Sequence, residues 1–158
     1  MTDNYIGIMI ESLRRKKDVL TDILKLSEEQ SLLLDDPNLE PDTFEKNVNR
    51  KAALIDKLEQ LDTGFESLYD KVKEELESNR DIHKEQIRQM QELIRALTEL
   101  NMQIQATEAR NKEKATAKFA YIRQQAKEIR SSQKIVKEYY NNMMHKADNE
   151  PHFLDNKK

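Results

Sequence analysis

A chain of 158 residues, 36 % charged, 37 % hydrophobic and 6 % aromatic, is sized for one domain. Two glycines, three prolines and an abundance of Glu, Lys, Leu, Ala, Ile and Gln favour long helices with narrow apolar stripes and argue against sheets. The absence of cysteine excludes a disulfide framework or thiolate metal site, and no stretch approaches the ~20 apolar residues of a membrane span, so a soluble cytoplasmic protein is expected.

The first helix is predicted over about 3–34, with Asp3 or Asn4 able to cap it. Its stripe runs Ile6, Met9/Ile10, Leu13, Leu20 and Ile23/Leu24, then reaches Leu32, Leu33 and Leu34; the charged run Arg14–Asp18 interrupts it. The short apolar run near the N-terminus precedes the basic cluster Arg14–Lys17 and no small-residue cleavage site follows, which reads as helix and not as signal peptide. The segment DDPNLEP ends the helix, because its two prolines and turn formers cannot continue one.

The second helix, about 42–79, opens on Asp42 with Glu45 three residues later, a capping-box-like arrangement. Its stripe steps by three and four through Phe44, Val48, Ala52, Ile55, Leu58, Leu61, Phe65, Leu68, Val72 and Leu76. Gly64 costs ~1 kcal/mol against Ala but leaves the stripe unbroken.

The third helix, about 81–146, meets no breaker before Pro151, and a mobile tail is expected over 148–158. Ile87, Met90, Ile94, Leu97, Asn101 and Ile104 carry its first half. A polar gap follows between Gln105 and Lys114, and the stripe resumes as Ala115, Phe119, Ile122, Ala126, Ile129, Gln133, Val136, Tyr140 and Met143. At ~1.5 Å per residue the first two helices span roughly 50–55 Å and the third roughly 95 Å. A hairpin of the first two therefore covers about half of the third, leaving the part beyond Arg110 to project, fold back or take a partner. The expected fold is all-α: an antiparallel helical hairpin plus a long third helix in one domain, 1–147.

Charge is uneven along the chain. Between Asp35 and Arg80 there are 13 acidic and 7 basic side chains, and between Arg110 and Lys146 there are 3 acidic and 10 basic. Segments of opposite sign pair with each other or with different partners. The basic segment lacks a base-stacking aromatic cluster or a groove-reading motif, so a solvated face is favoured over nucleic-acid binding. His83, His145 and His152 are scattered, without metal-ligand spacing, and read as exposed. Neither glycine sits in a phosphate-binding loop, and paired carboxylates such as Glu74/Glu75 have no evident water-excluding pocket. No enzyme, no metal and no cofactor are expected. The regular stripe Phe119, Ile122, Ile129, Val136, Tyr140 and Met143, with Tyr139 beside it, reads as a partner-binding face through its helical anchors. Self-association as a scaffold, including a homodimer, is the alternative; a scaffold would keep its seam apolar throughout.

The long N-terminal helix, the proline break and NVNRKAALIDKLEQLD together resemble the FlgN-type flagellar export chaperones. The pattern is a Lys before a Leu-Ile pair, then Leu-x-x-Leu-Asp: Lys51, Leu54-Ile55, Leu58 and Leu61-Asp62. LTELNMQIQATEARNKEK, YYNNM and FLDNKK add to the likeness. The resemblance implies a cytosolic helical chaperone that holds hook–filament junction proteins with its C-terminal helical region and docks at the export gate through a tyrosine there, Tyr139 or Tyr140. The FliT-type chaperone, which holds the filament cap protein, is similar.

Overall fold

The computed structural model describes residues 2–128, with side chains through 125. Three helices follow one another: α1 (Thr2–Asp35), α2 (Pro41–Ser78) and α3 (Lys84–Glu128). There is no strand among the described residues, so the fold is all-α: a hairpin and a long third helix. The remaining calls beyond Glu128 lie outside the described residues.

The ends of the helices follow from local chemistry. At the end of α1 the Asp36 N–H donates to the Leu33 carbonyl at 3.1 Å, and the Asn38 N–H donates to Asp36 Oδ1 at 2.9 Å. That Asx turn with Pro37 redirects the chain. Pro41 then occupies the first helical position, where its missing N–H costs nothing. Between α2 and α3 no proline or glycine acts; the Ile82 and His83 N–H groups both donate to the Asn79 carbonyl, closing a tight turn. Gly64 lies within α2 with no positive φ, so it serves as an ordinary helical residue.

By contact the described residues form two compact units, 2–22 with 54–102 and 23–53 with 103–128. In the first unit, Ile6, Met9, Leu13, Leu20, Ile55, Leu58, Val72, Leu76, Met90 and Leu97 are buried. Lys16 donates to Asp62 at 2.5 Å, and Lys71 lies 5.4 Å from the Tyr5 ring centroid. A later position on α1 thus meets an earlier one on α2, which makes these segments antiparallel. Full burial of one large apolar side chain stabilises by ~1.5–3 kcal/mol, so this dry seam is the main source of the unit's stability. The charged interruption of the first stripe is resolved here: Lys16 takes the inward position half-buried and brings its own counter-ion.

In the second unit, Leu34, Phe44, Val48, Ala115 and Phe119 form an apolar cluster with Leu39 packed against it. Antiparallel α1 and α2 place Leu34 by Phe44, and α3 runs parallel to α1, since Ser27 meets Glu108 and Asp35 meets Lys114. Three expectations change on this evidence. Coverage of α3 does not stop near Arg110: Asn111, Ala115 and Phe119 are buried in this unit. Position 52 of the second stripe is not inward; Ala52 is exposed and Lys51 is buried in its place. His83, expected exposed, is buried in the first unit, with Nε2 3.3 Å from Glu75 Oε1.

Candidate functional site

The polar gap of α3 is the centre of a buried network in the second unit. Two helical turns separate Val48 from Ile55, and either 51 or 52 can face inward between them. Lys51 does, at 1 % exposure, because Gln30 on α1 and Glu108 on α3 stand opposite. Its Nζ donates to Glu108 Oε1 at 2.6 Å and to Gln30 Oε1 at 3.0 Å. Ser27 Oγ donates to the same Glu108 oxygen at 2.5 Å. Asn111 Nδ2 donates to the Ser27 carbonyl at 2.8 Å and to Gln30 Oε1 at 3.1 Å. Asn47 Nδ2 reaches the Leu26 carbonyl at 2.9 Å. A buried charge is tolerated only when paired and hydrogen-bonded, and Lys51 and Glu108 meet that condition in each other.

The network is incompletely satisfied. Gln30 Nε2, Asn47 Oδ1 and Asn111 Oδ1 are buried without a hydrogen-bond partner from the protein. Turning the Gln30 amide around does not help, since Lys51 is a pure donor and needs the Gln30 oxygen. Each such orphan atom carries a desolvation penalty of ~1–3 kcal/mol. The arrangement holds charge in place. The Ser27 hydroxyl and the Glu108 carboxylate that accepts from it are both buried, with Glu108 paired to Lys51, and no group of three or more metal-ligating side chains occurs among the described residues.

Beside the apolar cluster, a groove of about 600 Å³ opens between the α1–α2 turn and α3. Leu34, Pro37, Leu39 and Ile122 supply apolar walls, with Tyr121 exposed at the rim. Lys114 donates to Ser31 Oγ and to Asp35 Oδ2, at 2.8 and 2.9 Å, and Lys118 donates to the Asp36 carbonyl at 2.6 Å. In the first unit a smaller groove, about 380 Å³, is lined by Met9, Phe65, Tyr69, Met90 and Ile94 among others.

Of the residues expected to bind a partner, Phe119 is 1 % exposed and belongs to the apolar cluster, while Ile122 is half-buried in the groove wall. Ile129, Val136, Tyr139, Tyr140 and Met143 lie outside the described residues. The residues that sequence reasoning missed are Ser27, Gln30, Lys51, Glu108 and Asn111. Their signal was present: each stands at stripe spacing between apolar neighbours, Ser27 and Gln30 between Ile23 and Leu34, Lys51 between Val48 and Ile55, Glu108 and Asn111 between Ile104 and Ala115.

No helix among the described residues is long and apolar enough to cross a membrane. No curated protein and no solved structure matches the chain. A family model described as FlgN protein matches residues 1–143.

Proposed function

The chain belongs to the FlgN family of flagellar export chaperones, and we propose that its clients are the hook–filament junction proteins, which it holds secretion-competent in the cytoplasm and hands to the export gate. The observation that carries this reading is the family match, which runs through residue 143 and so includes the whole stripe from Phe119 to Met143. The client-binding face comprises Phe119, Ile122, Ile129, Val136, Tyr140 and Met143, and Tyr139 or Tyr140 serves docking at the gate. The groove beside Ile122 supports the reading. It pairs apolar walls with an exposed aromatic rim, and flat aromatic anchors dominate most protein–protein hot spots. The protein works by binding, without catalysis or cofactor.

The test is a pull-down of purified hook–filament junction protein by the wild type and by the double variant Ile129→Asp/Val136→Asp. The variant is expected to keep its melting curve and oligomeric state and to lose the client. Unfolding or dissociation of a dimer would instead place those two residues in a core or a self-association seam. Retention of the filament cap protein in preference to junction proteins would move the chain's clients to the FliT type.

A further inference from the structure

A stripe meant only to hold three helices together has no use for a buried lysine, and in the second unit three helices contribute polar groups to one network. Three of its neighbouring polar atoms, Gln30 Nε2, Asn47 Oδ1 and Asn111 Oδ1, are buried and unpaired. Replacing a buried ion pair with apolar side chains of similar size is often neutral or stabilising, so such a network weakens the closed state relative to an apolar one. Water satisfies every one of these groups once the helices part, whereas separating a purely apolar seam gains nothing comparable. One turn beyond the network lies the Phe119 cluster, packed with Leu34, Phe44 and Val48.

We propose that the Lys51–Glu108–Gln30–Asn111 network is a weak joint at which residues 103–125 lift away from residues 23–53, uncovering Ala115, Phe119 and Ile122 for an amphipathic client helix with acidic flanks. The acidic flanks follow from charge. In the closed state Lys114 and Lys118 are held by Asp35 and by the Asp36 carbonyl, and lifting frees both lysines beside the apolar anchors. Ala115, Phe119 and Ile122 fall at i, i+4 and i+7, the spacing at which one helix reads another. The inference rests on the client reading above for the identity of the partner, and on the geometry alone for the joint.

Hydrogen exchange of the free full-length protein tests the joint directly. Amides of residues 103–119 in α3 are expected to exchange about tenfold or more faster than those of 84–102, because opening of one contiguous segment sets their rate. The variant Ser27→Ala/Lys51→Met/Glu108→Met replaces the charged core with apolar groups and leaves Gln30 Oε1 its bond from Asn111. It is expected to slow exchange in 103–119 and to raise the apparent Kd for hook–filament junction protein about tenfold, since affinity falls with the population of the competent state. The change should lie mainly in the association rate. Asn111→Leu, which removes one of the unpaired atoms and keeps both the Gln30 and the Glu108 hydrogen bonds of Lys51, gives the same direction of change should the triple variant misfold. Equal protection across α3 in the wild type overturns the joint. Faster exchange in 103–119 with unchanged client affinity in both variants overturns its role as a gate. A wild type that exchanges as expected but captures no junction protein refutes the client reading and leaves the joint standing.

Discussion

The two compact units are built from the same three helices and differ in what fills their centres. The first is held by a dry seam of Ile, Leu, Met and Val, with Lys16 kept partly exposed at its edge beside Asp62. The second closes over Lys51 and Glu108, at 1 % and 4 % side-chain exposure, and gives only part of its interior to an apolar cluster. An apolar seam tolerates sliding by a turn, because one leucine replaces another at little cost. A buried charge tolerates no such slip, because every wrong register leaves Lys51 or Glu108 unpaired. The polar centre therefore fixes the alignment of its helices while adding less stability per residue than the dry one.

The largest expected effect comes from breaking the pair on one side. Lys51→Met or Glu108→Leu alone leaves a buried, uncompensated charge and should cost ~3–5 kcal/mol in a denaturant melt. A loss below ~1 kcal/mol would show that solvent reaches the site and that the contrast between the units is overstated.

Leu58→Ala in the first unit is next. It removes a fully buried side chain from a closed apolar seam and should cost ~2–5 kcal/mol, depending on how far the cavity collapses. An unchanged midpoint would place Leu58 on an exposed face and overturn the register of α2.

Smaller effects sharpen the contrast at the surface. Lys114→Ala breaks the partly exposed bridge to Asp35 and should cost no more than ~1 kcal/mol, less at high salt. Smallest of all is Glu85→Gln at the start of α3. Hydrogen bonding to Arg88 holds the Glu85 carboxyl below its ordinary value of 4.5. Its contribution is therefore fully present above the unfolded value and is lost as pH falls through the lower folded one. Because both side chains are exposed, the wild type and the variant should melt alike within error at pH 7. Any difference should disappear at acid pH; a gap that widened below pH 4.5 would reverse the sign of the coupling.

Legibility in the sequence followed the same division. Three helices, the proline-driven break and the stripe through Val72 and Leu76 are apolar periodicity, which reads directly from the residues. The second unit was less legible because its inward positions are polar. Glu108 and Asn111 keep the three-and-four rhythm between Ile104 and Ala115, so the stripe changes chemistry there without losing its phase. A search for apolar residues alone sees a gap, and it prefers Ala52 to Lys51. Only the pairing of Lys51 with Glu108, 57 residues away in sequence, decides between them. The burial of Phe119 is hidden for a related reason: the apolar stripe visibly resumes at Ala115, but across a polar gap the spacing alone does not decide whether it packs on the hairpin or waits for a partner.

A double-mutant cycle on Lys51 and Glu108 tests the buried network most directly. Lys51→Met, Glu108→Met and their combination are measured by urea denaturation at neutral pH. Each single substitution should destabilise strongly while the double variant regains most or all of the loss, because apolar side chains of similar size replace a mutually dependent pair. Losses that simply add, within ~0.5 kcal/mol, would mean that Lys51 and Glu108 do not depend on each other and that the second unit has no polar centre.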